Sequence, residues 1–329
     1  MIVPTNLAYI LAASHSGSTL LAMLLNAHRR VCTVGELKAT NMGDLDRYRC
    51  SCGSPIRRCG FWRTVGERMA QRGYRFDLES PGTDFAACPS GYARRLLEPL
   101  HRGPIPETVR ETSLAVSSRW RRHLEATSLR NAALAEVICS IRGAAWIVDS
   151  SKVALRLKYL LRNPDLNVKV IRLIRDGRGV ALTYMDPARF ADAANPDVRG
   201  GGMGGDRQAE RQPMSRAAWQ WRRSNEEAQA LTAGLEPSDW LQVRYEDLCG
   251  DPAGVTERVL GFLGVPGSIS LEGFRLGDHH VVGNGMRLDT STEILLDERW
   301  RSVLDREQLG AFDAVAGKLN RSYGYAPAG

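Results

Sequence analysis

The stretch Leu7-Ala8-Tyr9-Ile10-Leu11-Ala12-Ala13-Ser14-His15-Ser16-Gly17-Ser18-Thr19-Leu20-Leu21-Ala22-Met23-Leu24-Leu25 decides the reading of this chain. Residues 7–13 form a continuous apolar run of strand length, and Leu20, Leu21, Leu24 and Leu25 recur at helical spacing. Between them lies a polar loop, residues 14–18. A buried strand that passes through a short loop into a helix leaves unpaired backbone N–H groups beside the positive end of the helix dipole, and an anion is favoured there. Gly17 lets the backbone approach a ligand, and the hydroxyls of Ser18 and Thr19 add donors for phosphate oxygens. Serine is also an ordinary residue at a helix start, so the segment alone reads equally well as a plain cap.

Working outward, further short apolar runs stand at residues 145–148, 168–174 and 240–244, most of them followed by a helical pattern. This rhythm predicts an α/β fold of P-loop-like, three-layer type, with a central parallel sheet and C-terminal helices. One domain is expected over residues 1–329, interrupted twice. Residues 39–143 read as a mostly helical insertion that caps the sheet and shapes a second binding site, with turn clusters near residues 53–55 and 80–83 and a long helix near 118–141. Residues 186–213, rich in Gly, Asp, Arg and Pro, read as a mobile loop and a lid.

Composition narrows the function. At 43% hydrophobic and 25% charged residues, a chain of 329 residues can bury a large core, which excludes disorder of the whole. The net charge of +7 favours an anionic partner, but the Arg residues are dispersed and no zinc-finger, helix-turn-helix or RNP-type pattern points to nucleic acid. No run of 18 apolar residues exists to span a bilayer, and residues 1–6 carry no basic residue of a signal peptide, so a cytoplasmic location is expected. The seven cysteines do not resemble a disulfide scaffold.

A nucleoside-triphosphate loop occupies the same strand-to-helix position, but it needs Gly at its first position and Gly-Lys-Ser/Thr at its end. Here Ala12 and Ser18 replace the first Gly and the Lys. Without that Lys a β/γ-phosphate pair loses its main countercharge.

Together these features resemble the sulfotransferases that use 3′-phosphoadenosine 5′-phosphosulfate (PAPS), above all bacterial members akin to the carbohydrate and tyrosylprotein branch. In that family a Ser-Gly-Ser/Thr-Thr loop holds the 5′-phosphosulfate, as Ser16-Gly17-Ser18-Thr19 would here, with Ser14 and His15 leading into it. The family also places an Arg after a strand and a Ser eight positions later on the 3′-phosphate. Arg175 and Thr183 reproduce that spacing, with Thr in place of Ser. An Arg at a strand end and a hydroxyl two turns into the next helix can converge on one phosphate, although Asp176 and Arg178 also suit a plain charged helix start. Arg244-Tyr245-Glu246-Asp247-Leu248 resembles the family's late strand and helix. Gly283-Asn284-Gly285-Met286-Arg287 resembles a loop closing over the adenosine and 3′-phosphate, which makes Tyr245, Asn284 and Arg287 candidate donor contacts.

The resemblance implies transfer of a sulfonate from PAPS to a hydroxyl of a small molecule or glycan, with release of the desulfated product PAP and no metal requirement. Glu36 stands where the tyrosylprotein enzymes keep a general base, and Lys152 matches a position that neutralises the sulfonate. His15 departs from the Arg or Lys usual before the Ser-Gly pair, and an imidazole carries its charge only part of the time near neutral pH. His279 and His280 are rival bases. Two alternatives remain open: a catalytically silent module that binds a bisphosphorylated adenosine, and a P-loop-type nucleotide-dependent kinase. Cys50, Cys52 and Cys59 are spaced closely enough for a metal or a redox disulfide. No neighbouring residue supplies a fourth ligand, apart from the distant Cys88, so a structural knuckle without metal is expected.

Overall fold

The computed structural model describes residues 3–38, 42, 44–97, 107–191, 193, 195–199, 210–275 and 279–327. In chain order the first elements are strand β1 (Thr5–Ala12), helix α1 (Ser18–Asn26), β2 (Val31–Thr33), α2 (Gly60–Gln71), α3 (Gly91–Leu97), α4 (Glu107–Ala115) and α5 (Ser118–Arg142). Then come β3 (Trp146–Lys152), α6 (Ala154–Leu160), β4 (Leu166–Ile174), α7 (Gly177–Met185), α8 (Pro187–Phe190) and α9 (Met214–Thr232). The last elements are β5 (Trp240–Arg244), α10 (Tyr245–Gly250), α11 (Pro252–Phe262), α12 (Trp300–Val303), α13 (Arg306–Phe312) and α14 (Lys318–Ser322).

The five strands form one sheet in the order β2-β3-β1-β4-β5, and every neighbouring pair runs parallel. β1 lies at the centre, and alternate residues serve opposite faces as the two-residue period of a strand requires. Leu7, Tyr9 and Leu11 join a core with α2, α5 and α6, whereas Ala8, Ile10 and Ala12 join a second core with α1 and α11. Burial on both faces explains why the run at residues 7–13 shows no polar alternation. A third cluster around Trp221, Trp300 and Phe312 packs α7, α9, α12 and α13 together.

The region read as an insertion holds α2 to α5 between β2 and β3. Of the loop read at residues 186–213, residues 186–191, 193, 195–199 and 210–213 are described, while residues 192, 194 and the Gly-rich residues 200–209 lie outside the described residues. No helix among the described residues is long and apolar enough to cross a membrane.

The helical region is tied to the sheet by charge as well as by packing. Asp149, fully buried in the middle of β3, accepts from Arg156 Nε at 2.8 Å. Arg156 also donates to the Thr83 carbonyl and to Asn131 Oδ1 of α5, both at 2.7 Å. The carboxylate further accepts the backbone N–H of Leu37 and both the N–H and the hydroxyl of Ser151. A buried charge stripped of its partner is costly. Arg156→Met should therefore lower the free energy of unfolding by about 3–5 kcal/mol in a urea titration. A loss below about 1 kcal/mol would instead be typical of a surface ion pair.

Candidate active site

In a parallel sheet all carboxyl ends lie on one edge, and ligands bind in the crevice outside them. Here each of the five strands delivers a candidate residue to that edge. β1 leads into residues 14–19, β2 into Glu36, β3 ends in Lys152, β4 runs into Arg175 and β5 into Tyr245. The crevice is a cavity of about 1380 Å³, lined by Ser14, His15, Gly17, Ser18, Thr19, Glu36, Lys152, Arg175, Thr183, Tyr245 and Asn284. That exceeds the ~300–1,000 Å³ of an ordinary small-molecule site, which leaves room for two ligands side by side. Its wall carries more Lys and Arg than Asp and Glu, including Lys38, Arg189, Arg211, Arg216 and Arg299.

The loop after β1 is shaped to receive an anion. Gly17 is left-handed at φ 89°, and no side chain caps α1 or places an acid in its first turn. A Cβ on Gly17 would lie 2.5 Å from the Tyr245 ring, so both the backbone angle and the close approach demand glycine. Among the described residues Ser16 Oγ is buried with no hydrogen-bond partner, an unmet polar group of the kind that a ligand or water satisfies. Ser16 itself does not line the cavity. His15 and Lys152 are the two non-glycine residues with positive φ among the described residues, at 65° and 68°, and both face the cavity. Such backbone strain is held where surrounding structure enforces it, commonly at functional sites. The His15 ring meets Tyr184 edge-on at 5.1 Å.

Glu36 is projected by a tight turn. Gly35 has φ 79°, and a Cβ there would collide with the Val282 carbonyl oxygen at 2.0 Å. The Glu36 carboxylate forms an ion pair with Lys152 Nζ in which both side chains are largely covered. A carboxylate and an ammonium thus share one stretch of wall, one able to accept a proton and the other to offset negative charge.

Arg175 turns back over the loop after β1. It donates to the His15 carbonyl at 2.8 Å and to the Asp297 carboxylate at 2.9 Å, and its guanidinium lies 4.3 Å from the centre of the Tyr245 ring. Thr183 Oγ1 donates to the Gly179 carbonyl at 3.1 Å and lies on the cavity wall. Asp176 caps α7 and holds Arg178, so the charged helix start and the cavity-facing Arg175 coexist. Asn284 caps the turn Gly285–Leu288 through Met286 N–H at 3.0 Å.

Several expectations are corrected. Arg287 does not line the cavity: it is buried, stacked over Tyr48 at 4.5 Å, and donates to the carbonyls of Gly283, Asn284 and Arg49. Its charge is spent fastening backbone. His279 is not on the cavity wall either, since its ring nitrogens contact Ser51 Oγ at 2.7 Å and the Arg275 carbonyl at 2.6 Å. His280 stacks on Phe61 and meets the cysteine cluster, with Nδ1 at 3.3 Å from Cys59 Sγ. The expectation that no residue joins the three thiols fails, because the fold brings His280 to them from 221 positions away. Cys88 is buried elsewhere and is not part of that group. Hydrogen bonding with Cys50 draws the Cys59 thiol below its ordinary value, against the effect of burial and with help from His280.

Sequence reasoning missed Asp149 and Asp297. A lone acid inside the strand Trp-Ile-Val-Asp was a legible signal for Asp149. Nothing local marks Asp297. Burial alone would raise its carboxyl, but hydrogen bonds and charge from Arg299 and Arg175 hold it well below the usual range. A depressed acid contributes stability that is complete above the unfolded pKa of ~3.9 and is lost as pH falls below it. Wild type should accordingly melt above Asp297→Asn near neutrality, with the gap narrowing below about pH 4. A gap that persists unchanged to about pH 2 would detach this carboxylate from the two arginines.

Comparison with known proteins follows the same lines. The model of a family described as "Sulfotransferase family" matches residues 83–268, more than half of the chain, and takes in Lys152, Arg175, Thr183 and Tyr245. Carbohydrate sulfotransferase 2 of Homo sapiens is 29% identical over an alignment of 182 residues that covers 46% of this chain and 34% of that protein. Carbohydrate sulfotransferase 1 of Homo sapiens is 34% identical over 116 residues, 33% of this chain and 26% of the relative. The chain thus spans about a third or less of the length of these curated relatives. The sulfotransferase domain from the Synechococcus PCC 7002 olefin synthase superposes with a TM-score of 0.54 at 19% identity, covering 99% of this chain and 97% of the domain, a likeness of fold.

Proposed function

The chain belongs to the sulfotransferase family, and from that premise we propose that it transfers the sulfonate group of PAPS to an acceptor hydroxyl and releases PAP. The observation that carries this reading is the meeting, on one cavity, of the anion-receiving loop and Arg175 with the Glu36–Lys152 pair. The human relatives bear the name carbohydrate sulfotransferase, which supports a hydroxyl-bearing acceptor, glycans included.

PAPS would supply the sulfur electrophile. The loop of residues 14–19 would hold its 5′-phosphosulfate through backbone N–H groups and the Ser18 and Thr19 hydroxyls, at the N-terminus of α1. Arg175 and Thr183 would hold the 3′-phosphate. Transfer is an in-line displacement in which the acceptor oxygen forms a bond to sulfur as the bond from sulfur to the phosphate oxygen breaks. Glu36 would take the hydroxyl proton, and Lys152, held beside it, would offset charge on the sulfonate oxygens. His15 would donate toward the leaving phosphate. A nucleoside-triphosphate kinase is disfavoured by Ser18 in place of the loop lysine.

Two measurements test the assignment. Arg175→Ala should weaken PAP binding roughly 10- to 100-fold by calorimetry, the equivalent of losing a ~1.5–3 kcal/mol charge-assisted bond. Unchanged affinity would remove Arg175 from the 3′-phosphate, and a thermal shift with ATP but none with PAP would overturn the donor itself. Glu36→Gln should keep wild-type affinity for PAP while slowing sulfonate transfer on the order of 10²–10⁴-fold. Full turnover in that variant would exclude Glu36 as the base.

A further inference from the structure

Away from the cavity, four side chains converge with no part in the transfer chemistry. Cys50, Cys52, Cys59 and His280 each offer one ligand atom, all within 4.8 Å of one another. The separations are 3.8 Å from Cys52 Sγ to Cys59 Sγ, 3.6 Å from Cys50 Sγ to His280 Nδ1, and 3.3 Å from Cys59 Sγ to the same nitrogen. A tetrahedron with Zn–S of ~2.3 Å and Zn–N of ~2.0–2.1 Å has sulfur–sulfur edges of ~3.8 Å and sulfur–nitrogen edges of ~3.5 Å. These three separations thus already stand close to the spacing that the ion would impose, and the remaining ones lie within 4.8 Å. Three soft thiolates and one imidazole are a zinc set, and four protein ligands close the site.

Local structure explains how so short a Cys-Xaa-Cys spacing can serve. Gly53, at φ 84°, lets the chain reverse, with Gly53 N–H on the Cys50 carbonyl and Cys50 N–H on the Ser54 carbonyl, both at 2.9 Å. Cys59 then stands as the cap residue at the N-terminus of α2, where the helix dipole favours a thiolate. His280 is oriented by Phe61, whose ring stacks on it at 4.5 Å and 6°. Cys50 and Cys59 are buried, and Cys52 closes the solvent side.

We propose that Cys50, Cys52, Cys59 and His280 bind one structural zinc ion that clasps the helical region to the late loop beside the active-site wall. Binding releases the thiol protons as the three thiolates form. The clasp lies where the two segments already interlock: Ser51 N–H donates to the Val281 carbonyl, Ser51 Oγ to the His279 carbonyl, and Val281 N–H to Ser51 Oγ. Immediately beyond, Val282 N–H donates to the Val34 carbonyl and Gly283 N–H to Tyr48 Oη. The zinc would therefore anchor the strip of backbone packed against Gly35 and Glu36.

The test is metal content of the full chain purified under reducing conditions from zinc-supplemented cells. One zinc per chain is expected, and Co²⁺ exchanged into the site should show thiolate-to-cobalt charge transfer with the intense visible bands of a tetrahedral ion. Cys52→Ser and His280→Ala, each checked for native circular dichroism, should lose stoichiometric metal. Stripping zinc from wild type should lower Tm, and re-addition should restore it. Wild type without zinc, or a Cys52–Cys59 disulfide in its non-reducing peptide map, would overturn the site in favour of a metal-free knuckle or a redox pair. Undiminished zinc in both variants would place the metal elsewhere. None of these readouts depends on sulfonate transfer.

Discussion

The buried ion pair between Asp149 and Arg156 is the constraint from which the site is built. Asp149 stands in the middle of β3, paired with Tyr9 of β1, and it uses its charge to organise three pieces of chain. It receives the N–H of Leu37, which sets the turn that presents Glu36, and two donors of Ser151, which set the turn that presents Lys152. Through Arg156 it reaches Thr83 and Asn131, and so couples these turns to the helices that cover that face of the sheet. Taking a carboxylate out of water is expensive, and here the cost is offset only because all its donors are supplied together. A geometry this demanding has few alternatives, which is how a flexible Lys and Glu come to share a defined position.

The other half of the cavity follows a different logic. Arg175 is the centre of a cluster in which Tyr245 lies under its guanidinium, the His15 carbonyl takes one nitrogen and Asp297 another. Tyr245 in turn packs against Gly17, so the loop after β1, the end of β4 and the end of β5 are in mutual contact. Asp297 supplies the negative charge opposite Arg175 and Arg299, the place that an anionic ligand would also seek. An arginine kept paired by a side chain of the same protein stays oriented without a ligand.

Much of this was legible in the chain itself. The strands at residues 7–13, 145–148, 168–174 and 240–244 announce themselves because a sheet covered on both faces needs uninterrupted apolar runs. The loop after β1 was readable as a strand-to-helix turn because a glycine and hydroxyl residues stand between an apolar run and a helical repeat, although the same letters also suit a plain cap. Glu36, Lys152, Arg175, Thr183 and Tyr245 were picked out by position relative to strand ends, and they do line one cavity. Arg287 and His279 were misplaced for a physical reason. A basic or imidazole side chain in a polar loop can face a ligand or fasten neighbouring backbone, and only the packing of Tyr48, Arg49 and Ser51 against that loop selects the second.

What the sequence determined by itself was the class of fold and the strand-to-helix turn at Gly17, because both rest on interactions within about twenty residues: burial periodicity, backbone freedom at Gly17 and the start of one helix. Tertiary structure alone decided the partnerships. His280 meets Cys59 across 221 positions, Asp297 meets Arg175 across 122, and Glu36 meets Lys152 across 116. Contacts of that range leave no periodic trace, since they depend on how the sheet orders its strands as β2-β3-β1-β4-β5 and which loops that order gathers at one edge. Local pattern records where a side chain can point, and the closed fold settles what it meets.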